Sequence, residues 1–398
     1  MISVDEALAL LRANPLSPGT ERVCIQSAAN RILAVSVIAR IDQPAAPVSA
    51  MDGYAVRLAD AQSVGSVLRI VGESAAGAPA DKHVGVGEAI RIFTGAIVPD
   101  GADHILIQEN CVRSGDQITT SEAETVSRHI RQKGIDFSKD DLLIGEGCRL
   151  GPAQLALIAA GNIPEVEVFK RPVVGLLANG NELRAPGSDL KPGEIVNSNA
   201  ISLKSLFESW GAEVIDLGIA SDSVESIIAR VSDRKDIDLF VPVGGASVGD
   251  YDFMHEAFTN CGFDPVFRKV KVKPGKPTWF SVSDHQSVLG LPGNPSSAFI
   301  CAHLFVGTLL GRDWTKFQVT GRLGFELPEN SVRETFLRVR TGIDGNGTLR
   351  IENNAKEDSS LIHPFVSTNA LLRRAPHADA LGVDDAVTVI PLGDALFG

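Results

Sequence analysis

The sequence predicts a multidomain protein of α/β and β class, and three observations carry that prediction. Its 398 residues exceed the roughly 100–200 of one cooperative core. Residues 172–243 alternate apolar runs of strand length with amphipathic stretches, the pattern of a parallel sheet covered on both faces. On either side lie short β-rich runs punctuated by Gly and Pro.

The elements follow in order. Ser3 and Glu6 form a Ser-x-x-Glu capping box ahead of Val4, Ala7, Leu8 and Leu11 at helical spacing, so a short amphipathic helix opens the chain. From about 36 to 140, runs such as 66–71 and 104–107 predict a mostly β domain. Residues 141–170 turn helical around 153–160, a segment expected to pack back against the first helix and so to make the first domain discontinuous. Residues 172–178 read as a strand buried on both faces. A helix follows, with Leu203, Leu206, Phe207 and Trp210 on one stripe and Gly211 at its C-cap. Strands at 213–219 and 238–243 continue the alternation, and Asp344, Gly345, Asn346 and Gly347 signal a late hairpin. The expected boundaries are 1–40 with 141–170 for a discontinuous N-terminal domain, 41–140 for an inserted β domain, 171–315 for a three-layer α/β domain and 316–398 for a C-terminal β domain.

Composition removes several classes of function. A formal charge of −12 opposes attraction to nucleic acid phosphates or an anionic membrane surface. The N-terminus lacks a basic segment leading into a long apolar one, and no run reaches the ~18 apolar residues of a membrane span, so a cytoplasmic protein is expected. Five scattered cysteines without CxxC spacing read as small buried thiols, and the histidines form no HExxH pattern.

Loops after the strands of a parallel sheet are where ligands bind. After the third buried strand come Gly244, Gly245 and Ser247, a candidate phosphate nest whose composition a tight unliganded loop would share. Asp250 and Asp252 just beyond add carboxylates suited to a magnesium–phosphate site. A second loop carries Pro292, Asn294, Pro295, Ser296 and Ser297; Asn294 reads as an N-cap with Pro295 at the first helical position, which suits an anion or merely caps a helix. Lys269, Lys271 and Lys273 alternate with Val270 and Val272, and Lys276 follows, giving a basic stripe that reads equally as a protected edge strand. Glu182 follows the first strand, and Asp52 and Thr94 sit beside glycines in turns.

In this order the segments MDGYAV, RIFTGAIVPDGAD, GNEL, GEIVNSN, GGASVGDYDF, KVKPGKP and GLPGNPSS resemble the molybdopterin molybdenumtransferase (MoeA) family, which includes the carboxy-terminal part of gephyrin. The resemblance covers residues 1–310 closely and the last domain loosely. It implies a MoeA-like fold with a discontinuous helical domain, an inserted β domain, an α/β molybdopterin-binding domain and a C-terminal β-barrel-like domain. It also implies a homodimer whose cleft lies between the α/β domain of one subunit and the inserted domain of the other. The implied reaction takes molybdate and adenylylated molybdopterin, uses Mg²⁺ and releases AMP, with a molybdopterin adenylyltransferase as upstream partner. A catalytically inactive molybdopterin-binding or scaffold protein is the alternative.

Carried over by motif, the catalytic residues are Asp52, Thr94, Asp136, Glu182, Asp238 and Asp252, with Glu182, Asp250 and Asp252 as metal ligands. Substrate-binding positions are Gly244, Gly245, Ser247, Lys269, Lys273, Lys276, Pro292, Asn294, Pro295 and Ser296, and Arg333 and Ser359 are C-terminal matches. The sequence departs from the family pattern at Asn181, where GDEL has its aspartate, across residues 45–48, and at Val243 and Ala246. Asn181 is expected to cap its loop through its side chain, and Asn181→Asp to be nearly neutral.

Overall fold

A computed structural model describes residues 1–245, 253–353 and 358–393. They form two compact units, one of residues 1–19 with 170–398 and one of residues 20–169. No helix among the described residues is long and apolar enough to cross a membrane.

The first helix, α1 (Val4–Ala13), starts with the expected capping box. Ser3 Oγ accepts the Glu6 amide at 3.1 Å, and the Glu6 carboxylate accepts the Ser3 amide at 2.7 Å. Its apolar stripe of Val4, Ala7, Leu8 and Leu11 is buried.

The 20–169 unit opens with β1 (Thr20–Cys24). Within it, β2 (Gly53–Val56), β3 (Val67–Ser74), β4 (Glu88–Ile92), β5 (His104–Ile107), β6 (Cys111–Ser114) and β7 (Gln117–Thr120) make one six-stranded sheet in the order β5-β2-β4-β3-β7-β6. Helix α2 (Pro152–Ala160) buries Ile158 among Leu33, Val37, Ile144 and Val166. The unit closes where the chain leaves it, as β8 (Glu165–Phe169) pairs antiparallel with β1.

The expectation that this helical segment packs against α1 is therefore corrected. The stripe of α1 lies in the core of the other unit, with Val174, Leu239, Leu289 and Phe305. A backbone ladder explains the placement: the Ile2 amide donates to the Lys269 carbonyl at 3.1 Å and the Lys271 amide to the Ile2 carbonyl at 2.7 Å. Residues 1–19 thus go with the α/β layer and residues 20–40 with 141–169, a division set by pairing between segments at opposite ends of this long stretch of sequence.

The larger unit contains β9 (Val173–Asn179), α3 (Ser198–Ser209), β10 (Glu213–Ala220), α4 (Val224–Val231), β11 (Leu239–Val243), α5 (Phe253–Asn260), β12 (Asp264–Phe267), β13 (Val272–Lys273), β14 (Trp279–Val282), β15 (Ser287–Gly290) and α6 (Pro295–Cys301). The sheet runs β10-β9-β11-β15-β14-β12, parallel through β15 and antiparallel beyond. Alternation along β11 explains the layers. Leu239, Val241 and Val243 join the core that holds α1, α3 and α6, whereas Phe240 joins the core under α4 and α5.

The chain ends in a closed five-strand barrel of β16 (Val319–Leu323), β17 (Glu334–Ile343), β18 (Leu349–Asn353), β19 (Ala370–Arg374) and β20 (Ala386–Pro391), in the cyclic order β17-β18-β16-β20-β19. The predicted hairpin joins β17 to β18. Asp344 accepts the Asn346 and Thr348 amides at 2.9 and 3.0 Å and pairs with Arg350 at 2.9 Å. The two-residue strand β13 adds to the barrel's sheet, parallel to β17, so Lys273 lies in register with Thr335. The five cysteines are free; only Cys301 is buried, its thiol pushed up to about 12 by desolvation, and Cys24 is exposed, against the expectation of buried thiols throughout.

Leu11→Ala is expected to cost the larger unit about 2–5 kcal/mol, because Leu11 is fully buried in its core. Urea unfolding followed by site-specific probes in each unit checks this; an equal loss confined to the 20–169 unit would contradict the placement of α1.

Candidate functional site

Order in the parallel sheet locates the first crevice. From β9 the chain passes to β10 on one side and then returns to β11 on the other, so the loops after β9 and β11 diverge at the carboxyl edge. A cavity of about 530 Å³ opens there, lined by Asn179 and Glu182 from the first loop, Gly244 and Gly245 from the second, and Asn294 and Pro295 facing them. Residues 195–199 and Ser360 complete the wall.

Glycine is required where β11 ends. Gly244 and Gly245 have φ of +93° and +67°, and a Cβ on them would lie 2.7 Å from the Asn179 carbonyl oxygen and 2.3 Å from its Oδ1. The backbone can approach β9 only without side chains. Ser247, Asp250 and Asp252, with Ala246, lie outside the described residues.

Glu182 is exposed on the cavity wall, its carbonyl oxygen accepting the Ile195 amide at 2.9 Å. The Asn181 side chain, expected to cap its own loop, bonds the loop after β10 instead: its Oδ1 accepts the Asp222 amide at 3.3 Å, and its own amide donates to Asp222 Oδ2 at 3.2 Å. Asn179 is buried, with Nδ2 donating to the carbonyls of Ala220 and Ser221, and its Oδ1 has no hydrogen-bond partner among the described residues.

A second cavity, of about 340 Å³, has a different character. Lys273, Lys276, Arg333 and Arg338 line it together with Pro292, Asn294, Ser296, Ser297 and Ser359. Cations from separate stretches of sequence meet here because β13 is stitched to β17, which brings Arg333 and Thr335 beside the lysine segment. Arg338, which sequence reasoning missed, is 2% exposed and donates to the Leu361 and Asp358 carbonyls at 2.9 and 3.3 Å, holding the segment that carries Ser359. An arginine flanked by Phe336, Leu337 and Val339 was the available signal.

The two cavities share Asn294 as a wall. Asn294 does occupy the N-cap of α6 with Pro295 first in the helix, but its side chain makes no cap; Nδ2 donates instead to Ser359 Oγ at 2.9 Å. The Ser296 amide is likewise spent on the Ser359 carbonyl at 3.0 Å. One amide of the expected anion-binding helix start, that of Ser296, and the Asn294 side chain thus tie the α/β layer to the barrel segment.

Other expected residues lie elsewhere. Lys269 and Lys271 lie on neither cavity, and the Lys269 carbonyl serves the Ile2 ladder. Asp238 stands at the amino end of β11, opposite the crevice, where its Oδ2 accepts the Val173 amide at 2.7 Å, a structural role. In the 20–169 unit, Asp52 and Thr94 meet: Asp52 Oδ1 accepts the Thr94 amide at 2.7 Å and its hydroxyl at 2.9 Å. These bonds, the amide first, hold the Asp52 carboxyl below the usual aspartate range, with the Arg91 charge adding to them. Arg91, also unforeseen, donates to the Gly53 carbonyl and lies over the Tyr54 and Phe93 rings. Asp136 is exposed, its amide donating to the Gln43 carbonyl at 3.0 Å.

The donor set around Glu182 fits Mg²⁺. No group of three or more His, Cys, Asp or Glu side chains poised for a metal occurs among the described residues. Mg²⁺ does not need one, since it keeps several waters and binds through one or two carboxylates and substrate phosphates. Hard oxygen is what this wall offers, in the exposed carboxylate of Glu182.

Known proteins share this architecture. Family models match as MoeA N-terminal region (domain I and II) over residues 2–161, probable molybdopterin binding domain over 175–312, and MoeA C-terminal region (domain IV) over 320–392. The molybdopterin molybdenumtransferase of Haemophilus influenzae is 33% identical over 407 residues, 100% of both chains. That of a Nostoc species is 32% identical, covering 88% of this chain and 84% of the relative. Two structures of a molybdopterin biosynthesis MoeA protein from Pyrococcus horikoshii superpose with TM-scores of 0.84 and 0.77, at 30% and 26% identity, over 99% and 98% of this chain and 100% of theirs.

Thr94→Val should raise the Asp52 pKa part of the way toward that of an ordinary aspartate, because the hydroxyl donor is lost while the amide remains. The sign follows from linkage: a depressed carboxyl contributes stability above its unfolded value, and that contribution fades as pH falls through the folded one. Carboxyl NMR titration of both proteins reads the shift, and an unmoved Asp52 would exclude the hydroxyl as a cause.

Proposed function

The chain belongs to the molybdopterin molybdenumtransferase (MoeA) family, and from that premise we propose that it inserts molybdenum into adenylylated molybdopterin with release of AMP, the final step of molybdenum cofactor synthesis. The observation that carries the proposal is the pair of cavities divided by Asn294, one basic and one lined by Glu182 and neutral side chains. A substrate with a phosphate chain, a dithiolene and a neutral heterocycle needs surfaces of both kinds.

In this reading Lys273, Lys276 and Arg333 attract the tetrahedral oxyanion, and Ser296, Ser297 and Ser359 offer hydroxyls to its oxygens. Molybdate takes up the two thiols as it loses one oxide as water, so the protons of the thiols leave with that oxygen. The phosphoanhydride is cleaved by a second water to give AMP and the pterin phosphate. Glu182 would hold Mg²⁺, which when bound neutralises charge developing on the phosphate oxygens. The glycines at 244 and 245 let the β11 loop lie close against Asn179 at the end of β9. A homodimer, and delivery of the pterin by a molybdopterin adenylyltransferase, are the assembly and partner that family membership suggests.

Purified protein supplied with adenylylated molybdopterin, Mg²⁺ and molybdate should release AMP only when molybdate is present. Lys273→Ala with Lys276→Ala should raise the half-saturating molybdate concentration roughly tenfold or more, the scale of losing hydrogen bonds to a charged group, and flatten its dependence on salt. Release of AMP indifferent to molybdate would leave pterin binding without insertion; an unaltered salt slope would reduce the lysines to an edge-strand device.

A further inference from the structure

The loop that carries Glu182 lacks the aspartate usual before it, and the structure shows an acid reaching the same corner from another strand. Asp222 follows β10, a strand away in space and 41 positions away in sequence. It forms a reciprocal pair with Asn181, each residue giving its amide to the other's side-chain oxygen at 3.2 and 3.3 Å. The pair does not stand alone. The Asn179 carboxamide donates to the carbonyls of Ala220 and Ser221 at 3.3 and 3.1 Å, and the Gly180 amide donates to the Ala220 carbonyl at 3.2 Å.

Five hydrogen bonds thus staple residues 179–181 along residues 220–222. The second segment is itself held, since the Ser221 amide donates to Ser226 Oγ and the Ser226 amide to Ser223 Oγ, the N-cap of α4. Glu182 is the next residue after the staple and lines the cavity.

We infer that Asp222 is a positioning residue for Glu182, acting through the side-chain oxygen that accepts the Asn181 amide. This inference rests on Glu182 acting in the proposed reaction. The chemistry of the pair explains the asparagine. An amide oxygen at 181 accepts the Asp222 amide without adding charge, whereas an aspartate there would set a second carboxylate beside the first. Arg184, the cation two positions beyond Glu182, is already bound to Glu194 and to the carbonyls of Asn181 and Leu183. Its charge is therefore committed and does not offset two acids. On this inference Asn181→Asp, expected from sequence to be nearly neutral, should disturb the loop unless Asp222 is neutralised with it.

The test uses the full chain in five variants: Glu182→Gln, Asp222→Ala, Asp222→Asn, Asn181→Asp, and Asn181→Asp with Asp222→Asn. Three quantities are read for each, namely half-saturating Mg²⁺ in AMP release, Mn²⁺ binding by electron paramagnetic resonance without pterin substrate, and thermal stability. Asp222→Ala and Asn181→Asp should each weaken the metal dependence by roughly threefold to tenfold, the size of coupling between contacting residues, while KM for the pterin is kept. Asp222→Asn, which retains an acceptor, should recover most of the loss caused by alanine. The double exchange should recover most of the loss caused by Asn181→Asp, because one carboxylate and one carboxamide again face each other. Should Asp222→Ala fail to fold, the comparison of Asn181→Asp with the double exchange decides alone, since both keep an acceptor at 222. Unimpaired Asn181→Asp, or equal impairment of it and the double exchange, overturns the inference. A Glu182→Gln protein with normal turnover and metal dependence overturns the functional reading beneath it instead.

Discussion

Burial of both faces of the parallel sheet is the constraint on which the larger unit depends. All five residues of β11 are buried, and so are six of the seven of β9. Strands with no solvent face must be covered twice, which requires helices above and below and therefore crossovers between the strands. Crossovers in opposite directions from β9 create the switch point, and with it the crevice that Glu182 and the glycine loop share. The site is in this sense a consequence of core packing, decided before any catalytic residue is chosen.

Electrostatics act on that frame locally. A chain of net charge −12 has no general attraction for an oxyanion. It gathers two lysines and two arginines on one small cavity instead, drawing them from the segment before β14 and from β17 and the residue that precedes it. Neither segment could hold a dianion alone, since isolated exposed charges are screened by salt and attract weakly. The parallel pairing of β13 with β17 removes the distance between them. Arg338, buried and hydrogen-bonded to main-chain carbonyls, fixes the neighbouring serine segment without offering its charge to open solvent.

Hydrogen bonds at the strand ends then set the side chains. Asn294 illustrates how a residue can keep its predicted position and take on different work, since it begins α6 as an N-cap should, yet spends its carboxamide on Ser359. Asp238 shows the reverse, an acid carried over from the family resemblance whose Oδ2 accepts the Val173 amide at the amino end of the strand, opposite the crevice. Polar side chains near strand ends satisfy main-chain groups first, and only those left over face a ligand.

Local physics explains what could be read from the sequence by itself. The capping box at Ser3 and Glu6, the alternation of buried strands and amphipathic helices, the Asp344 hairpin and the glycines at 244 and 245 each depend on residues within a few positions of one another, and all appear as expected. Glu182, Lys273 and Lys276, read from the residues, and Arg333 and Ser359, added by the family resemblance, line the two cavities. Only the tertiary structure decided that α1 joins the α/β core, that β13 belongs to the barrel's sheet, that Lys269 turns away, and that Asp222 faces Asn181. Each of those is a pairing between segments tens to hundreds of positions apart. Many partners are compatible with the same short apolar or polar stretch, and the choice among them is made by which arrangement buries every face and satisfies every strand edge at once.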